Sequence, residues 1–352
     1  MAIVAKKQLI YFFLSNFIVY ITGMGLFPIL PLYAGEFGAT PAMVGFYMAL
    51  IYVAITVGSL AVGWIPPTVS RKLLFVVVGA IGAPAILLLG QVAGFWQLVL
   101  LTAVVWFSGG FATSTIGLYT GLIAEEGGRG RSFSIMFLAR PMAGIFGGAL
   151  VTWLLSWGSY QPTFITLSAI WMIMPIIGLI SLPDLRNQKI NKAQRDRAPQ
   201  ASPAAGSEKI QMGWQFYILM VMLLLATTAA YSARLGISLS LIELDFDAAA
   251  AASIAIASSL FTLPIVTLIG TLSDRLGRYR FLLVGSLMTT AGSAILLLAT
   301  QLWQFWLAGG LLLASMTVTA AVASAMGTDL LSTRALGRGL PWLNAMTWLA
   351  GV

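Results

Sequence analysis

Two arginines stand inside long apolar stretches of the sequence, where charged side chains are rare. Arg140 lies about eight residues inside one stretch, and Arg234 lies about eight residues from the end of another, roughly 12 Å deep if these stretches are membrane helices. An intramembrane cation needs a partner, a water-filled cavity or an anionic ligand, unless its side chain reaches an interface. The two arginines are therefore candidates for anion binding. The alternative is structural, with Arg140 reaching headgroups or loops and Arg234 pairing with Glu243 or Asp245.

Polar side chains close to these arginines in sequence, or in the first apolar stretch, extend the candidate site. Tyr231 precedes Arg234 by about one helical turn, and Asn16 and Tyr20 form an i, i+4 pair. Such side chains can line a ligand cavity, or they can hydrogen-bond a neighbouring helix. If no carboxylate neutralises Arg140 and Arg234, the cavity has a positive potential and favours anionic or strongly hydrogen-bonding ligands.

The composition removes most catalytic chemistry from consideration. The 352 residues include no Cys and no His, which leaves no thiolate nucleophile, no imidazole base and none of the usual zinc ligand sets. Acidic residues number 11, and none falls firmly in the middle of an apolar stretch, so a buried carboxylate pair is hard to assemble. We therefore predict that the protein is not an enzyme and binds no cofactor or metal.

The same composition indicates a membrane protein. Hydrophobic residues make up 59% of the chain and charged residues 9%, whereas a soluble domain needs about 25% charged residues. Lys6 and Lys7 precede a first apolar segment that is too long for a signal peptide, so this segment is predicted to remain as a membrane helix. The chain has ten complete apolar segments, and an eleventh begins near Pro341 and is cut at Val352. Ten complete segments can cross about 30 Å of hydrocarbon: Leu9–Tyr33, Pro41–Trp64, Leu73–Val92, Phe95–Ala124, Phe133–Trp157, Pro162–Leu182, Trp214–Ile242, Ala248–Leu272, Phe281–Ala299 and Leu302–Met326.

The charges between these segments predict the orientation. Basic residues concentrate in alternate loops, and the opposite loops contain only the acids Glu36, Glu243, Asp245 and Asp247. By the positive-inside rule the basic loops are cytoplasmic, so we predict a multi-pass protein of the inner (plasma) membrane with a cytoplasmic N-terminus. The clustering also argues against nucleic-acid binding, despite the formal charge of +8. The basic loops hold Lys6/Lys7, Arg71/Lys72, Arg129/Arg131, the stretch from Asp184 to Lys209, Arg275/Arg278/Arg280 and Arg334/Arg338.

A polar stretch rich in Ala, Pro and Ser interrupts the rhythm of the apolar segments. We predict a cytoplasmic linker at 183–213 between an N-terminal six-helix half, 1–182, and a C-terminal half, 214–352. Four residues of the first half have identical counterparts 207 positions later, at similar places in the second half. A parallel repeat of this kind predicts a binding site at the interface of the halves, near the membrane midplane. The pairs are Gly63 with Gly270, Arg71 with Arg278, Arg131 with Arg338 and Gly144 with Gly351.

The loop after the eighth segment has the sequence GTLSDRLGRYR, starting at Gly270. Gly270 lets helices pack closely, Gly277 permits a tight turn, and Asp274 beside Arg275 and Arg278 can form an ion-pair cluster. The pattern resembles the signature loop of the major facilitator superfamily, in which such a cluster can latch one face of the molecule.

The remaining loops resemble those of the same superfamily less closely. In the first-half counterpart of the signature loop, Gly63 and Arg71 remain, but the Asp is lost. The acidic and Arg-Gly loop that holds Glu125, Arg129 and Arg131 is similar to the family loop expected to face the signature loop. The first segment ends in Pro-Leu-Tyr, which is similar to drug and sugar exporters of the superfamily.

The resemblance implies an all-α major facilitator fold with two pseudo-symmetric six-helix halves, of which the last one and a half helices are missing here. It also implies a secondary transporter that moves a small organic solute by alternating access. Efflux, as an antiporter, is the favoured direction, and the alternatives are a nutrient uptake carrier and a non-transporting membrane partner or assembly protein. Proton coupling would have to use Glu36, Glu243 or Asp245 at the outer rim, or transport is uncoupled.

Overall fold

A computed structural model of the protein describes residues 2–27, 29–66, 69–124, 128–157, 159–182, 212–244, 246 and 248–352. Within these residues every regular element is an α-helix. Helices suit lipid because each satisfies its own backbone N–H and C=O groups, for which the bilayer core offers no water. The helices are α1 (Ala2–Leu26), α2 (Leu30–Gly35), α3 (Pro41–Trp64), α4 (Arg71–Leu89), α5 (Phe95–Ile123), α6 (Arg129–Leu155), α7 (Gln161–Ser181), α8 (Trp214–Glu243), α9 (Ala248–Leu276), α10 (Arg278–Leu297), α11 (Leu302–Leu330) and α12 (Thr333–Leu349).

Ten of the described helices are long and apolar enough to cross a membrane. Large apolar side chains remain exposed on them, among them Leu100, Leu225 and Leu287, as lipid-facing surfaces require. The predicted all-α polytopic architecture is confirmed, and the protein is a multi-pass membrane protein.

The structure corrects several predicted helix starts on the face that holds the basic residues. Helix α6 begins at Arg129 rather than Phe133, and α10 begins at Arg278 rather than Phe281. In both cases the helix begins about one turn before the apolar pattern does. At α6 the added turn has partners for its backbone N–H groups, because Asp274 accepts hydrogen bonds from Gly130 and Arg131. Arg129, Arg131 and Arg278 therefore belong to first helical turns and not to loops.

Two further corrections involve prolines. The first predicted segment is divided, and Pro31 lies in the first turn of α2, where its missing N–H group costs nothing. The last helix begins at Thr333 and continues through Pro341, the predicted start. Ser332 caps α12, since its Oγ accepts a hydrogen bond from the N–H of Ala335 at 3.3 Å.

The helices before and after the predicted linker interlock. Helix α6 packs on α9 and α11, and α12 packs on α3 and α5. The most enclosed membrane helices are α5 and α11, in which 72% and 83% of the most apolar 18-residue stretch is buried. Each is the fourth membrane helix on its side of the predicted linker. Most of the predicted linker, 183–211, lies outside the described residues, and the division into two domains stays a prediction.

Candidate functional site

A cavity of about 620 Å³ lies between the two sets of helices. It is lined by residues of α1, α3, α5, α6 and α7 from the first set and of α8 and α12 from the second, together with the residues that follow α12. Its volume is within the range of small-molecule sites. Seven aromatic side chains form much of the wall: Tyr20, Phe27, Tyr52, Trp106, Trp171, Tyr231 and Trp348.

Arg140 is the most deeply enclosed charge of the cavity. Its side chain, from α6, is 2% exposed, and its guanidinium carbon lies 5.6 Å from the ring centroid of Trp348. Nη2 donates a hydrogen bond to the hydroxyl of Tyr231 at 3.3 Å, and Nε has no partner. Aromatic rings and a neutral hydroxyl therefore hold this cation in place without neutralising it.

Arg234 lines the same cavity from α8, but it is exposed. Tyr231, one turn earlier, places its ring edge-on to Tyr52 with a centroid separation of 5.6 Å. Arg140, Arg234, Tyr231 and Tyr20 thus meet in one cavity, although they come from three helices.

The described lining of the cavity contains two arginines and no Asp or Glu side chain. Among the described residues, neither arginine forms an ion pair. The Glu243 side chain and Asp245, proposed from sequence as partners of Arg234, lie outside what the structure describes. Glu36 is exposed and does not line the cavity. The described wall therefore has an excess of positive charge, which attracts an anion.

Asn16 does not line this cavity. Its Nδ2 donates a hydrogen bond to the carbonyl of Met136 at 2.8 Å, and the side chain is 6% exposed. It lines a separate space of about 30 Å³, which shares Tyr20 and Thr113 with the large cavity. The contact of Asn16 joins α1 to α6.

An ion cluster, formed by Arg129, Asp274, Arg278 and Asp329, joins the two sets of helices on one face of the bundle. Asp329 lies 2.6 Å from Nη1 of Arg129 and, through its other oxygen, 2.6 Å from Nε of Arg278. Arg278 also lies 3.4 Å from Asp274. Gly277 of the signature loop lies between α9 and α10 and has a φ of 93°, a backbone angle that favours glycine.

Asp274 also caps a helix of the other set. Its carboxylate accepts hydrogen bonds from the backbone N–H groups of Gly130 at 2.9 Å and Arg131 at 3.0 Å, in the first turn of α6. The N-cap of α6 is Gly128, which has no side chain for this purpose. Because α6 begins with two arginines at the positive end of its dipole, a carboxylate there is stabilising. The side chains of Arg131 and Arg275 are exposed.

The first-half counterpart of the signature loop packs without a carboxylate. Nη2 of Arg71 donates to the carbonyl of Ile65 at 3.2 Å within the same loop. Gly63 lies against α12, where an added Cβ would be 3.3 Å from the carbonyl oxygen of Arg338 and 3.3 Å from the Trp342 ring. Since α12 is capped by its own Ser332, it does not need the Asp that this loop lacks. Glu125 lies outside the described residues, and the surroundings of Gly270, in α9, are not described either.

The bundle thus has its cavity and its ion cluster at different depths. Successive membrane helices cross in opposite directions, so the cavity-lining residues within 19–27, 228–234 and 348–352 lie toward the face opposite the ion cluster.

The family model of the Major Facilitator Superfamily matches residues 12–352. The chain belongs to this superfamily. Its members are secondary transporters, and the match confirms the resemblance seen in the signature loop.

A solved structure in the superfamily has the same fold. The human organic anion transporter MFSD10 (TETRAN) aligns with a TM-score of 0.75 and 15% sequence identity, over 99% of this chain and 91% of that one. At this identity the likeness shows the fold alone. No curated protein matches the chain.

Superfamily resemblance did not point to three polar or aromatic residues that the structure brings to the centre. Tyr52 and Trp348 face the arginines, and Asn344 donates to Ser59 at 3.1 Å and to Ser114 at 2.8 Å, which joins α12 to α3 and α5. An amide inside an apolar helix was the available signal for Asn344. Tyr52 and Trp348 gave none, because tyrosine and tryptophan are common throughout membrane helices.

Replacing Asp274 with alanine is expected to open the face that holds the ion cluster. The variant loses the acceptor for two N–H groups of α6, which costs about 1–2 kcal/mol, or roughly 5- to 30-fold in the ratio of closed to open forms. The chain has no Cys, so labelling of Leu340→Cys, buried where α12 meets Gly121 of α5, reports opening. We expect its maleimide labelling to accelerate 5- to 30-fold. Arg280→Ala, an exposed change nearby, should leave the rate unchanged, and an equal acceleration there would contradict the role of Asp274.

Proposed function

We propose that this protein transports a small organic anion across the membrane by alternating access. The observation that supports this most directly is the pair of arginines, Arg140 and Arg234, in a cavity whose described lining has no Asp or Glu side chain. A buried cation without a counter-ion is costly, and its retention is best explained by an anionic ligand. MFSD10, which shares the fold, is an organic anion transporter by its description.

The arrangement supports a cycle with one face closed at a time. The ion cluster and the Asp274 cap hold the two sets of helices together on their face, while the cavity lies toward the opposite face. The basic residues near the cluster favour its placement in the cytoplasm, with the N-terminus on the same side of an inner (plasma) membrane. In this proposal Gly63, Gly270, Gly277 and the charged residues of the two signature loops act as the gate, and the described conformation faces outward.

Export is the proposed direction, and it depends on the Pro-Leu-Tyr ending of the first predicted segment. The described lining of the cavity has no Asp or Glu side chain that could exchange protons with the substrate, which favours a carrier that is not coupled through a central acidic side chain. If transport is coupled to protons, Glu36 at the rim is the described candidate.

Proteoliposomes test this function directly. Vesicles containing the purified protein are loaded with a mixture of organic anions, neutral solutes and organic cations of similar size, and the solutes that leave are quantified by mass spectrometry with and without a proton gradient. We expect protein-dependent release of anions only. Preferential release of cations would overturn the proposal, and no release of any solute by well-folded protein would favour the non-transporting membrane partner.

A further inference from the structure

The two arginines of the cavity offer separate binding points. Arg140 is buried behind aromatic rings, whereas Arg234 is exposed to the cavity space on a different helix. We propose that the transported anion has two anionic groups on an aromatic or similarly planar body, one bound by Arg140 and the other by Arg234. This inference rests on the proposed function and specifies the substrate class of the same site.

The surroundings of Arg140 support a permanent anion-binding point. A guanidinium has five N–H donors, and the one hydrogen bond of Arg140 to a described side chain goes to the neutral hydroxyl of Tyr231. The ring of Trp348 lies against its guanidinium. These contacts fix the orientation of the planar fork and leave donors for a carboxylate, which guanidinium binds with two parallel hydrogen bonds.

Charge balance supports the second anionic group. A substrate with one negative charge that is bound at Arg140 leaves Arg234 without a side-chain counter-ion in a membrane-embedded space, whose described lining has no Asp or Glu side chain. A substrate with two negative charges neutralises both cations, and in a space of low polarity each added pairing strengthens binding considerably. Because Arg234 is exposed, we expect its pairing to contribute about tenfold in affinity and not more.

The walls of the cavity support a planar body between the two charges. Tyr20, Tyr52 and Trp348 line the space beside the arginines. Their faces offer stacking and apolar contact to a flat ring. A volume of about 620 Å³ accommodates one substituted ring with room for reorientation.

Calorimetric titration of the purified protein with three probes of the same ring size tests the inference. Isophthalate has two carboxylates, benzoate has one and benzamide has none. We expect isophthalate to bind at least tenfold more tightly than benzoate, and benzoate more tightly than benzamide. In Arg234→Gln this tenfold preference should vanish while benzoate affinity stays within about threefold; Arg234→Lys should retain much of the preference, and the exposed control Arg280→Gln should retain all of it.

The outcomes separate this inference from the function on which it rests. Equal binding of isophthalate and benzoate, both above benzamide, would overturn the two-charge inference and leave an anion site. Benzamide binding as tightly as both acids would overturn the anion site itself. If no probe binds, the inference is wrong for aromatic dianions, and the vesicle assay decides the transport of anions independently. A preference in Arg234→Gln equal to that of the original protein would assign the second charge elsewhere.

Discussion

Replacing Arg140 with glutamine is expected to lower the rate of anion transport about 100-fold without unfolding the protein. The loss follows from removing a buried charged partner of the substrate, a change that costs about 2–5 kcal/mol at buried pairs. Glutamine retains an N–H group for the Tyr231 hydroxyl. Because the guanidinium is buried without a described counter-ion, its removal should leave thermal stability unchanged or raise it.

Transport rate and melting temperature, measured on the same preparations, distinguish this role from a structural one. Arg140→Lys keeps the charge but loses the planar fork, so it should transport at an intermediate rate. Arg280→Gln, which removes an exposed arginine, should behave as the original protein. If Arg140→Gln transports normally but melts at a lower temperature, Arg140 serves as a packing element between Tyr231 and Trp348 and not as a ligand of the substrate.

The membrane architecture could be predicted because lipid imposes a simple rule on the sequence. Any segment that crosses hydrocarbon must be about 20 residues long and apolar. The ten spans could therefore be predicted without knowing which helices pack against them. The helix ends were harder to predict, because hydropathy does not indicate where the terminal backbone N–H groups of a helix have hydrogen-bond partners. The start of α6 at Arg129 depends on Asp274, a residue far away in the sequence.

The lining of the cavity was predictable mainly through its charges. Arg140 and Arg234 stood out because charges are rare in apolar segments, and the structure places both in one cavity. Asn16 was selected as a polar partner of Tyr20, but its amide donates a hydrogen bond to a backbone carbonyl of α6. Which face of an almost uniformly apolar helix points inward depends on packing, and the sequence pattern does not record it.

In the signature loop too, the sequence identifies the charged residues but not all of the groups that they contact. Asp274 and Arg278 were recognised by spacing, and their pairing was expected. The hydrogen bonds from Asp274 to the backbone of α6 could not be read from the sequence, because backbone donors have no sequence signature. The missing Asp in the first-half loop is accounted for by Ser332, a local cap whose meaning appears once α12 is seen to begin there.

Close packing between α3 and α5 leads to the second large expected effect. A Cβ atom on Gly110 would collide with the backbone carbonyl oxygen of Ile55, and a Cβ on Gly58 would collide with that of Phe107. Ser59 reinforces the approach with a hydrogen bond to the carbonyl of Gly110 at 3.2 Å. Backbones that touch in this way tolerate no side chain, so Gly110→Ala must separate the two helices and disturb the cavity wall that they share.

We expect Gly110→Ala to lower the free energy of unfolding by about 3 kcal/mol, the upper end of the usual cost of overpacking. Its neighbour supplies a matched control, because a Cβ on Gly109 would meet Val19 at an ordinary 3.4 Å. The melting temperature and the monodisperse fraction in detergent should therefore fall sharply for Gly110→Ala and change little for Gly109→Ala. Equal behaviour of the two variants would mean that α3 and α5 are not held in backbone contact, and that the arginine cavity is positioned by other helices.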